Sequence, residues 1–274
     1  MPKIAMSSSA MVLAPWINAL QVAAEIGYDA FEIDFVFPSA DVDTVSPADI
    51  DLAKQIAKSV GLELCVHAPF IEMNIAAFCK GIRDESIRYV KRSIDFCAAI
   101  GAETLVVHSG DYTYQLPTGS SRHNNEGMRR QWFLNIDALK QITDYADEHG
   151  IIVCLENLGF KSVDQTIADL LEIREAIGKS LKFTLDIGHA RLNVPGGVKE
   201  AIRLFGDNVR HIHFTDNNGK YDDHLPIGDG NFDYSGFVDY INAFPHIVTL
   251  EVVSIGVDPG PARKSLEYFK TIWK

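Results

Sequence analysis

Residues 151–189 read IIVCLENLGFKSVDQTIADLLEIREAIGKSLKFTLDIGH. An apolar run of strand length, IIVCLEN (151–157), leads into a helical pattern, DQTIADLLEIREAIG, that stops at Gly178. A second apolar run, KFTLDI (182–187), follows. Near-continuous apolar runs of this kind suit parallel strands covered on both faces. The unit recurs outward in both directions. Upstream lie KIAMSS (3–8), AFEIDF (30–35), LELCVHA (62–68) and TLVVHS (104–109); downstream lie VRHIHFT (209–215) and IVTLEVV (247–253). Helical patterns separate them. PWINALQVAAEIG ends at Gly27, ESIRYVKRSIDFCAAIG at Gly101 and QWFLNIDALKQITDYADEHG at Gly150. SPADIDLAKQIAKSVG offers Ser46 as N-cap, Pro47 in the first turn, Asp49 three residues on and Gly61 at the end. Shorter helices fall around VKEAIRLFG, YSGFVDYINAF and PARKSLEYFKTIW.

Eight strands, each followed by a helix, over 274 residues predict an α/β protein with a single (β/α)8 barrel domain spanning 1–274. The rival is an open doubly wound sheet, whose G-x-G-x-x-G after the first strand is absent. Lys and Arg number 25 against 37 Asp and Glu, a net charge of −12. That balance is unsuited to gripping a polyanion, so a nucleic-acid partner is not expected. GSSR (119–122) and Arg129–Arg130 read as solvated loop rather than a phosphate site. Cys65, Cys79, Cys97 and Cys154 form no C-x-x-C pair and read as small buried thiols in a reducing compartment. No window is long and apolar enough for a membrane helix, and a cytoplasmic location is expected. Self-association into a homo-oligomer is left open.

The strand ends carry the chemistry. His67, His108, Glu156, Asp186 and His213 close strands three to seven, and Glu251 lies towards the end of strand eight. His189 follows Asp186 by three residues, and Asp222 and His224 sit in the long loop 216–234. If the strands close, these nine converge on one mouth, where barrels build their sites. Gathering so many carboxylates and imidazoles in apolar flanks is costly unless a cation compensates. Histidine and carboxylate are ligands of zinc, manganese and similar ions. His211 reads as a deeper supporting residue, and one of Glu32 and Asp34 as facing inward. SSSA (7–10) has no evident partner. Asp229 is expected to order the 216–234 loop by turn hydrogen bonds, with Asp222 and His224 its main anchors. A second long connection spans 110–125.

VHAP (66–69), VVHSG (106–110), LEN (155–157), LDIGH (185–189), HIHFTDN (211–217), DDHLPIGDG (222–230) and LEV (250–252) resemble, in order, the xylose isomerase-like barrel superfamily. The likeness is to its sugar phosphate isomerase/epimerase branch, and also to endonuclease IV. It implies a divalent-metal-dependent isomerase or epimerase of a sugar or sugar phosphate, working by proton transfer through an enediolate. Glu156, Asp186, His213 and Glu251 would hold one central ion, and Glu156 and Glu251 would also move protons. The endonuclease IV likeness implies an alternative, a multi-zinc phosphodiester hydrolase acting on abasic DNA. On that reading His67 and His108 with Glu156, and His189, Asp222 and His224, hold two further metals; otherwise those residues bind substrate. Two departures qualify both. The stretch after Glu156, ENLGFKSVDQ, is too short for a DNA-penetrating loop, and Gly219 stands where the keto-sugar epimerases carry a sugar-binding arginine.

Overall fold

The computed structural model describes residues 2–113, 120–159 and 161–272. Eight parallel strands close on themselves: β1 (Lys3–Ser7), β2 (Ala30–Asp34), β3 (Glu63–His67), β4 (Thr104–Val107), β5 (Ile152–Glu156), β6 (Lys182–Asp186), β7 (Val209–Phe214) and β8 (Ile247–Leu250). Each pairs with its sequence neighbour, and β1 closes against β8. The expected (β/α)8 barrel is the observed fold, and every expected strand is present. Helices α1 (Trp16–Ile26), α2 (Pro47–Val60), α3 (Lys80–Ile100), α4 (Glu126–His149), α5 (Ile167–Ile177), α6 (Ile187–Asn193), α7 (Gly197–Phe205), α8 (Val238–Ala243) and α9 (Gly260–Ile272) lie between and after the strands. Among the described residues no helix is long and apolar enough to cross a membrane.

The core lies between barrel and helices, where Leu20, Phe31, Ile94, Leu139, Phe183, Phe205 and Phe214 are fully buried. Local chemistry sets the helix ends. Ser46 and Asp49 form a reciprocal capping box at the start of α2, and Gly61 ends it in the left-handed region at φ 72°. Thr166 and Asp169 do the same at the start of α5.

Three differences from the sequence reading matter. Helices α3 and α4 each begin five residues before the expected ESIRYV and QWFLNI starts; Asn125 caps α4 through the Met128 amide. A seven-residue helix, α6, leaves β6 directly, capped by Asp186. Gly188 in its first turn has no room for a side chain, because a Cβ there would strike Thr215 on the neighbouring connection. Cys65, Cys97 and Cys154 are buried free thiols as expected, but Cys79 is exposed because it sits at the entry to α3. Residues 114–119 of the 110–125 connection lie outside the described residues.

Candidate metal centre

The parallel register delivers ionisable side chains to one end of the barrel. Asp186 on β6 and His213 on β7 are register partners. Glu156 ends β5, and Glu251 follows β8, its amide still donating to Phe214 O at 3.0 Å. One ligand atom from each of Glu156, Asp186, His213 and Glu251 lies within 4.8 Å of all the others. His213 Nδ1 sits 3.3 Å from Glu156 Oε1 and 3.3 Å from Glu251 Oε2. Asp186 Oδ1 caps α6 through the His189 amide at 2.6 Å, and Asn157 brackets its backbone on both sides. That leaves Asp186 Oδ2, His213 Nδ1 and Glu251 Oε2 buried with no hydrogen-bond partner. Three orphaned donor atoms from three strand ends, converging on one point, would be costly to bury without a compensating charge. One imidazole nitrogen and three carboxylates suit a zinc- or manganese-type ion. The residues therefore fit a divalent cation.

The electrostatics agree. Burial opposes the charge on every member. It dominates at Asp186, where neighbouring Glu156, Glu251 and Asp222 add repulsion and push the carboxyl up to about 7 despite His189. At Glu251 burial is outweighed by His213 and His224, which bring it down to about 2. At Glu156 burial is outweighed by His213 and His108, which hold it well below the usual range. Conversely, burial disfavours a charged His213, but Glu251, Glu156 and Glu32 together keep its proton well above the usual imidazole pKa. Without a cation, protons supply the positive charge that the carboxylates demand.

Two further groups flank the centre. His67 Nε2 and His108 Nε2 lie 3.4 and 3.1 Å from Glu156 Oε2. His67 Nδ1 donates to Ala68 O at 2.7 Å, which turns Nε2 towards Glu156. On the other side Asp222 Oδ2 meets His189 Nε2 at 2.9 Å and His224 Nε2 at 3.1 Å. Burial lowers the basicity of His67 and His224. Glu156 outweighs it at His67, raised to about 9, and Glu251 with Asp222 at His224, raised to about 10. Burial is likewise overcome at His189, where Asp186 and Asp222 hold the proton. A cavity of about 790 Å³ opens over the centre, lined by His108, Glu156, His189, Asp222, His224 and Glu251 among others. All nine sequence-predicted residues thus gather at one mouth, in the three groups the motifs suggested.

The loop after β7 is built differently from expectation. Asp216, not Asp229, orders it: its carboxylate accepts from the Asn217, Gly228 and Gly230 amides at 2.8–3.0 Å. Asp229 pairs instead with Lys264. The Asp222 and His224 side chains anchor the loop to His189 and Glu251, and Leu225 N donating to Asp216 O adds a backbone anchor beside them. His224 adopts φ 44°, a strained backbone for a side chain of its size and a mark of functional positions. Glu32 and Asp34, which share a face of β2, are both buried and hydrogen-bonded within the barrel. The SSSA stretch has a partner after all: Asp34 Oδ2 accepts from Ser7 Oγ, Ser8 Oγ and Ser9 N. Arg122 is committed to Asp169 and Glu172.

A family model described as xylose isomerase-like TIM barrel matches residues 20–272. A protein of Methanocaldococcus jannaschii of uncharacterised function is 30% identical over 257 residues, 92% of this chain and 83% of that one. Fructoselysine 3-epimerase of Shigella flexneri is 22% identical over 267 residues, 94% and 93% of the two chains. A solved D-tagatose 3-epimerase-like protein superposes with a TM-score of 0.80 at 27% identity, covering 98% of this chain and 96% of its own. A probable endonuclease 4 of Oceanobacillus iheyensis is 24% identical over 220 residues, 74% of this chain and 68% of that protein.

Proposed function

The chain belongs to the xylose isomerase-like TIM-barrel family, and we propose that it is a divalent-metal-dependent epimerase or isomerase of a sugar or sugar phosphate. The observation that carries this reading is the pair of carboxylates, Glu156 Oε1 and Glu251 Oε2, flanking His213 Nδ1 at 3.3 Å each. The names of the fructoselysine 3-epimerase and tagatose 3-epimerase-like relatives support it. A divalent ion held by Glu156, Asp186, His213 and Glu251 would supply Lewis-acid polarisation of adjacent substrate oxygens. Glu156 and Glu251 are held ionised, as a carboxylate must be to accept a proton. One takes the proton from the carbon beside the carbonyl, giving an enediolate, and the other returns a proton to that carbon. His213 lies 3.3 Å from an oxygen of each, His108 and His189 line the mouth as donors for hydroxyls, and His67 is buried behind them against Glu156. One domain over 1–274 and a cytoplasmic, reducing setting for the free thiols complete the proposal.

A second reading, a multi-metal phosphodiester hydrolase, is favoured by the two flanking groups His67–His108–Glu156 and His189–Asp222–His224 and by the endonuclease 4 likeness. The net charge of −12 and the short segment after Glu156 weigh against it. The test is a sugar and sugar-phosphate panel in D2O with added manganese or zinc. Solvent deuterium should appear at the carbon that inverts or at its neighbour. No exchange across the panel, together with incision of an abasic duplex, would select the hydrolase.

A further inference from the structure

Glu32 lies on β2, two residues before the strand end, and is fully buried. The proposed proton transfer does not use it, yet its carboxylate collects four contacts from three other strands. Oε2 takes three: His211 Nε2 at 2.7 Å, Thr249 Oγ1 at 3.0 Å and Cys65 Sγ at 3.4 Å. Oε1 takes one, His213 Nε2 at 3.0 Å. An ionised carboxylate is acceptor-only, so the nitrogen facing it must carry a hydrogen. In the neutral imidazole the lone pair is then on Nδ1. His213 Nδ1 is the buried atom without a hydrogen-bond partner, 3.3 Å from an oxygen of Glu156 and of Glu251. A lone pair aimed between two carboxylates is repelled unless a proton sits on that nitrogen or a metal cation lies among them.

We infer that Glu32 is a positioning residue that fixes the His213 tautomer and commits that side chain to bind a divalent cation through Nδ1; the inference rests on reading the four-residue cluster as a metal site. The division of labour at the carboxylate argues against mere space-filling. Oε2 ties β2 to β3, β7 and β8, whereas Oε1 serves His213 alone. Thr249 and His211 also touch each other, at 2.9 Å, so the Oε2 side has support of its own.

The primary test needs no variant. In zinc-loaded protein labelled with ¹⁵N-histidine, long-range ¹H–¹⁵N spectra should show His213 with its hydrogen on Nε2 and zinc on Nδ1. Zinc on Nε2, with the hydrogen on Nδ1, overturns the inference. Next, Glu32→Gln should weaken zinc binding about ten- to a hundredfold in chelator competition. Thr249→Val, which removes contacts to Oε2 and His211 but none to Oε1, should keep the wild-type affinity. Wild-type affinity in a Glu32→Gln protein that melts cooperatively overturns the inference. Neither readout uses turnover. Zinc bound through His213 Nδ1 in a chain that exchanges no sugar proton sinks the epimerase reading and sustains this one. Sugar turnover with unchanged zinc affinity in Glu32→Gln does the reverse.

Discussion

Loading one metal ion should expel protons in a number that the site itself dictates. At pH 7 the metal-free cluster holds a proton on His213, kept there mainly by Glu251 and Glu156 against the effect of burial. Asp186, raised by burial to about 7, is half-protonated at that pH. Both must deprotonate to ligate, so one ion releases about 1.5 protons. The same arithmetic gives the pH dependence of affinity. Between pH 8 and pH 6, Asp186 alone costs about a factor of ten in total. His213, whose proton is held above the usual imidazole value, adds to that fall in the same direction as the pH drops. Isothermal titration of zinc or manganese in three buffers of different ionisation enthalpy reads the release directly from the slope. Filling the flanking groups as well would strip protons from His67, His189 and His224, all raised above the usual imidazole value. The release would then exceed about four protons. A buffer-independent enthalpy would refute the reasoning. Three ions with the larger release would shift the reading to the hydrolase.

Glu156→Gln and Glu251→Gln should each cost at least about 10²–10⁴ in turnover, losing a proton carrier and a ligand together; near-normal rates for both would remove their assigned roles. The central site should fill first and the flanking groups only with particular metals, which anomalous scattering at the zinc and manganese edges would check. Incubation with an abasic duplex at physiological salt should give no metal-dependent incision at catalytic concentrations, given the net charge of −12. Asp164, buried beside Ser162, has its pKa raised by burial from 3.8 to about 7. The unfolded chain ionises there first, so stability falls as pH rises from about 4 to 7, by at most ~4 kcal/mol. Asp164→Asn should flatten that dependence in urea melts at pH 4 and pH 8.

How far the sequence could be read depended on whether a feature is local. Strands were legible because an apolar run of β-rich residues is complete in itself, and ligand candidates because a His, Asp or Glu at the end of such a run is visible without knowing the neighbours. What was lost needed contacts across the chain. Residues 80–84 (KGIRD) and 126–130 (EGMRR) look like loop because they are polar and contain glycine; they are nonetheless first turns, supported by the Lys80–Asp84 ion pair in α3 and by the Asn125 cap and buried Met128 in α4. Helix α6 was hidden because Asp186, read as a ligand, is also its N-cap; one carboxylate oxygen serves each purpose. SSSA found its partner only when pairing set β1 beside β2, bringing Ser7 to Asp34. Glu32 is the extreme case, since its contacts reach 181 residues to His213 and 217 to Thr249. Alternation in YDAFEIDF turns Glu32 inward but does not say that it holds an imidazole across the barrel. The central group stands out from its flanking groups for the same reason. All three have ligand chemistry in the sequence, but in the two flanking groups the imidazole nitrogens find carboxylate or carbonyl partners. In the central one, three buried donor atoms find none. It is that imbalance, visible only in three dimensions, that places the strongest demand for a cation between Glu156, Asp186, His213 and Glu251.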